Sequence, residues 1–80
     1  MNDMTIYIRY NTVKTDYTTS PDILLGDLIS QLIDRGVLPQ GQNFIICKGN
    51  EQALDQSQTL SENGVRDGDV LDVATPGKAG

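Results

Sequence analysis

The sequence predicts an α+β domain in which one helix packs on one mixed sheet. Three stretches predict it. MTIYIRY near the start alternates apolar with polar residues, LLGDLISQLID carries leucine and isoleucine at helical spacing, and VLDVA near the end follows a tight-turn signal. Eighty residues close one core and bury roughly 60% of the unfolded chain's surface, so these stretches must share it.

In MTIYIRY, Met4, Ile6, Ile8 and Tyr10 fall on one face and Thr5, Tyr7 and Arg9 on the other, the period of a half-buried strand. TVKTDYTT follows Asn11 with β-branched and aromatic residues, which reads as a hairpin back across the first strand, its turn type open. SPD then supplies a cap-like serine and a proline, after which Leu25, Leu28, Ile29, Leu32 and Ile33 form one apolar helical stripe. Gly26 costs that helix about 1 kcal/mol against alanine, so it depends on tertiary packing. Gly36 is placed to end it in the left-handed conformation, and Pro39 stops it from resuming. Asn43 to Cys47 is a short apolar strand closed by the turn signal KGN, and Ala53-Leu54 adds a very short one. In TLSENG, Thr59 and Glu62 have capping-box spacing before Gly64, which predicts a single helical turn. RDGD is a tight turn, and VLDVA is the last strand, with Leu71 and Val73 inward and Val70, Asp72 and Ala74 outward. First and last strands lying side by side at the centre would run parallel with the helix across the concave face. That arrangement is the β-grasp, with four to five strands.

Composition excludes several functions. Eleven acidic against six basic residues give a net charge of −5, which repels phosphate backbones and anionic headgroups and argues against nucleic acid or membrane as partner. No apolar run approaches the ~18 residues of a membrane span, and MNDM lacks the features of a signal peptide, so the expected location is the cytoplasm. With one cysteine and no histidine, the common soft-metal and Cys/His catalytic arrangements are missing, so neither an enzyme nor a metal site is expected. Cys47, inside FIIC, reads as a small core residue, with Lys48 the one neighbour favouring reactivity. Asp55 and the pair Asp67/Asp69 resemble carboxylates set for acid or metal chemistry, yet D-G-D is better explained as a turn, since a calcium loop needs more ligands at alternating spacing.

From Met4 to Gly80 the chain resembles a ubiquitin-like protein. MTIYIRY is similar to that family's opening strand, LLGDLISQLIDRGVLP to its helix and proline turn, NFIICKGN to its third strand, and TLSENGVRDGDVLDV to its closing signature. LSENGVRDGDVLDV most resembles bacterial ubiquitin-like proteins found near type VII secretion genes or in operons encoding ubiquitination-like enzymes. The resemblance divides the chain into a body, 1–74, and a tail, 75–80. Members tied to secretion typically stop at the last strand, whereas here Thr75, Pro76, Gly77, Lys78, Ala79 and Gly80 continue, a reach of about 20 Å if extended.

The resemblance implies a modifier whose Gly80 carboxylate is activated by an E1-like enzyme using ATP, passed to an E2-like enzyme and joined to target amines, with an isopeptidase where conjugates are reversed. The chain would be substrate and not catalyst, with no cofactor of its own. The chemistry favours small residues, because an activating enzyme must thread the chain end to ATP, and glycine offers an unhindered carbonyl to a nucleophile, with Ala79 the next smallest choice. Pro76 and Gly77 keep the tail out of the sheet. The ending is Ala-Gly where the family's is usually Gly-Gly, which argues against a sulfur carrier. A non-conjugated adaptor of a secretion machine is the rival reading, with an unstructured terminus of no chemistry the bland one.

The resemblance further implies a partner-binding patch on the outer sheet face, with Ile45, Val70 and Ala74 as members and Lys48 and Arg9 at a basic rim. Alternation slipped by one residue would move that set indoors. Lys14, Lys48 and Lys78 are the only lysines, so self-conjugation would run through these or the N-terminus.

Overall fold

The computed structural model describes residues 3–49 and 52–75. In order along the chain are β1 (Met4–Tyr10), β2 (Val13–Thr19), α1 (Leu25–Asp34), β3 (Ile45–Lys48) and β4 (Val70–Ala74). The sheet order is β2-β1-β4-β3. β1 and β4 run parallel at its centre, and β2 and β3 flank them antiparallel. This is the β-grasp arrangement expected from the sequence.

Alternation along β1 buries Met4, Ile6 and Ile8, and along β4 it buries Leu71 and Val73. The stripe Leu25, Leu28, Ile29 and Leu32 of α1 joins them in one cluster, completed by Leu38, Phe44, Ile46, Leu60 and Val65 from the following segments. No charged or polar side chain is buried with them among the described residues. Tyr10 packs edge-on against Phe44, with ring centroids 5.7 Å apart, and covers the end of the core.

The hairpin turn is two residues long, since Tyr10 pairs with Val13. Both loop residues have positive φ, 55° at Asn11 and 67° at Thr12, as the type I′ turn requires.

The start of α1 differs from the expectation. The Ser20 hydroxyl accepts the Asp22 amide in the preceding turn (3.1 Å), and the N-cap is Leu24, which makes no side-chain cap bond. The Leu25 and Gly26 amides instead donate to the main-chain carbonyls of Gln58 (2.9 Å) and Gln56 (3.1 Å). Distant backbone thus satisfies two of the four donors that a helix start leaves free. A Cβ at Gly26 would lie 3.4 Å from the Gln56 carbonyl oxygen, at the edge of ordinary contact. At the other end Gly36 takes φ 80°, and the Gly36 and Val37 amides donate to the Ile33 and Leu32 carbonyls, a Schellman closure.

β3 starts two residues later than NFIIC suggests, at Ile45, and ends one later, at Lys48. Among the described residues Ala53 contributes an isolated bridge to Cys47, with the Leu54 amide bonded to the Ile46 carbonyl (2.8 Å), and the sheet has four strands. Thr59 and Glu62 form the reciprocal capping box, at 2.8 and 3.0 Å, around one hydrogen-bonded turn that seats Leu60 in the core.

Candidate functional site

Strand alternation and register assemble the outer face of the sheet. Burial of Ile8, Leu71, Val73 and Ile46 on the helix side turns Tyr7 and Arg9 of β1, Val70, Asp72 and Ala74 of β4, and Ile45 and Cys47 of β3 to the other side. Tyr7 lies beside Val70, Arg9 beside Asp72, Asp72 beside Cys47, and Ala74 beside Ile45.

These rows split the face into two apolar pieces. Ile45 with Ala74 lies at the end of β4, and Tyr7 with Val70 at its start. Val70 and Ala74 are four residues apart on one strand, a separation of about 13 Å. Between them the Arg9 Nε donates to Asp72 Oδ1, with the two side chains 51% and 33% exposed. That hydrogen bond, and then the carboxylate's charge, raise the Arg9 pKa further above its already high ordinary value. Arg9 is therefore paired, and the centre of the face is an ion pair rather than an apolar surface. An exposed pair of this kind contributes little to stability, because solvent and salt screen it. It offers a partner a fixed pattern of charge.

Lys48 does not join this face. Because β3 runs through Lys48, alternation turns the side chain to the same side as Ile46, opposite Leu71 of β4. Its Nζ donates to the Gly64 carbonyl (2.9 Å) and lies 3.5 Å from Asp69 Oδ2. The sequence puts Lys48 in the turn after FIIC and so at the rim, whereas its place as the last residue of β3 turns it away from that face. Cys47 needs the reverse correction: it is half-buried on the outer face beside Asp72, not a core residue. Alternation from Ile46 already carried that signal.

The carboxylates of the turns are occupied by backbone. Asp67 Oδ1 accepts the Thr5 amide (2.7 Å) and Asp69 Oδ2 the Arg66 amide (2.8 Å), closing the turn at Gly68. Asp55 accepts both the hydroxyl (2.7 Å) and the amide (2.9 Å) of Ser57, which together lower its pKa. No group of three His, Cys, Asp or Glu residues able to hold a metal occurs among the described residues.

β4 is an interior strand ending at Ala74, and half-buried Thr75 follows it. Pro76, Gly77, Lys78, Ala79 and Gly80 lie outside the described residues, as does the Lys78 amine. Of the other two lysines, Lys14 is exposed, with Nζ 5.4 Å from the centre of the Tyr7 ring, and Lys48 is bonded as above.

No protein-family model matches the sequence, and no curated protein matches it. Solved structures do match. An archaeal ubiquitin, from Caldiarchaeum subterraneum, superposes with a TM-score of 0.76 over 99% of this chain and 100% of its own, at 22% identity. The fold is ubiquitin-like. A protein designed on the basis of ubiquitin shares that fold with a TM-score of 0.77, at 23% identity over 98% of this chain and 93% of its own. So does a chain from a structure described as "Molecular Mimicry of SUMO promotes DNA repair", with a TM-score of 0.79, at 16% identity over 92% of each chain. A ubiquitin-like fold at these identities establishes architecture and leaves function to the residues. None of the helices described is long and apolar enough to cross a membrane.

Proposed function

We propose that the chain is a bacterial ubiquitin-like modifier of the cytoplasm, joined to target amines through the Gly80 carboxylate. The observation that carries this reading is the junction at Ala74. There the interior strand β4 ends beside Ile45, and the sequence continues from Thr75 through small residues, Ala79 and Gly80 among them. The match to an archaeal ubiquitin along that protein's full length supports it.

The chemistry would run in four steps on the partner enzymes. The Gly80 carboxylate attacks the α-phosphate of ATP and releases pyrophosphate. A cysteine thiolate of the E1-like enzyme displaces AMP to give a thioester, and a cysteine thiolate of the E2-like enzyme then attacks that thioester and releases the first thiolate. A target amine then displaces the thiolate to form an isopeptide bond. The modifier supplies an unhindered carbonyl and a recognition surface, and ATP belongs to the activating enzyme. An activating enzyme that docks beside the tail meets Ile45 and Ala74 first, then the Arg9–Asp72 pair.

The Ala-Gly ending is the feature that favours a second reading, a non-conjugated adaptor of a secretion machine, for which 75–80 would be dispensable. Deleting Gly80 separates the two. Higher-mass adducts formed with the cognate enzymes and ATP should vanish on its removal, and adducts that persist would refute conjugation through Gly80. A terminal oxygen-to-sulfur exchange seen by mass would instead assign a sulfur carrier.

A further inference from the structure

β2 forms an edge of the sheet, and hydrogen bonds on the far side of β1 decide which of its main-chain groups face outward. The Tyr7 amide donates to the Asp69 carbonyl (2.9 Å), and the Gly68 amide donates to the Thr5 carbonyl (2.7 Å). Thr5 and Tyr7 thus direct their backbone away from β2, which makes Thr5↔Thr18 and Tyr7↔Asp16 the non-hydrogen-bonded pairs of the hairpin. Arg9↔Lys14 follows at the same spacing. The N–H and C=O groups of Lys14, Asp16 and Thr18 therefore point out of the edge, a template for another strand.

The side chains select which strand fits. Lys14 and Asp16 lie two residues apart on the outer face, both exposed. On the helix side Val13 is 61% exposed, and Tyr17, four residues further along the strand, is held by its hydroxyl's bond to Gln31 (2.7 Å) and by Arg35 over its ring. Consider antiparallel pairing with a second copy about a two-fold axis through Thr15. Lys14 then faces Asp16 of the second copy, Asp16 faces its Lys14, and Val13 faces its Tyr17. The Lys14/Asp16 pairs are also the ones whose main-chain groups point at each other. Moving the axis to Asp16 sets two carboxylates face to face, and moving it to Lys14 sets two ammonium groups face to face, both unfavourable.

We propose that β2 pairs with β2 of a second copy of this chain in the Thr15-centred register, doubling the four-stranded sheet. The outer face beside Ala74 stays uncovered, so the pairing is independent of any chemistry at Gly80.

A disulfide trap tests it. In a Cys47→Ser background, Thr15→Cys places two thiols in a non-hydrogen-bonded pair with Cα atoms about 4.5 Å apart, within disulfide span. Thr15→Cys should yield a covalent dimer under mild oxidation. Asp16→Cys, whose two copies would sit diagonally at about 7–8 Å, should not. Sedimentation of the unmodified chain from micromolar to millimolar concentration should show reversible dimerisation. Lys14→Glu should weaken it about tenfold, and adding Asp16→Lys should restore it. A monomer throughout with no link at position 15, a link at 16 in preference to 15, or a charge swap that fails to restore association would each overturn the proposal.

Discussion

At Thr12 the chain holds a β-branched residue at φ 67°, where the side chain crowds the backbone. The sequence left this turn type open because Asn-Thr lacks the glycine that marks such hairpins, and the two-residue register is what imposes the strain. Thr12→Gly should stabilise the protein by about 1 kcal/mol. Thermal unfolding should show a midpoint raised by roughly 5 °C. Asp55 offers a second test. Its bonds to Ser57 depress the folded-state pKa, so it stabilises the fold above the unfolded carboxylate value, and that contribution is lost as pH falls through the lowered one. Asp55→Asn should therefore be less stable than the parent near neutrality, with the gap closing below about pH 4 in urea titrations. The end of β3 at Lys48, one position beyond Cys47, decides which neighbours Lys48 has, whereas alternation decides the exposure of Cys47.

The elements themselves were legible wherever burial dictates period. The α1 stripe and the alternation of β1 follow directly from which residues reach the core. Their ends were less so, because those depend on segments far away in sequence. The start of α1 is satisfied by the carbonyls of Gln56 and Gln58, which no local cap pattern announces, and Ser20 is engaged in the turn before it. The capping box was readable because both partners sit within one turn, Thr59 and Glu62. Thr59→Ala removes the hydroxyl that accepts the Glu62 amide and should cost about 1 kcal/mol. The same turn carries Leu60, so Leu60→Ala should cost more, about 2–5 kcal/mol. Equilibrium denaturation of the two variants checks that order, and a larger loss from Thr59→Ala would contradict it.

For the molecule as a whole, the β-grasp topology was legible because a helix between two hairpin-like halves leaves few ways to close a core this small. The outer face was legible in membership but not in character. Residues on three strands meet there, and only the register reveals that Arg9 and Asp72 interrupt the apolar positions. A partner that reads this face should sense that pair, so Asp72→Ala should weaken binding to the activating enzyme, checked by titration calorimetry against the unaltered chain. The central claim concerns Gly80, and ATP–pyrophosphate exchange tests it most directly because it reports adenylation alone. With the cognate activating enzyme, the intact chain should drive exchange and the chain lacking Gly80 should not. Equal exchange with and without Gly80, or none with either, would contradict the account.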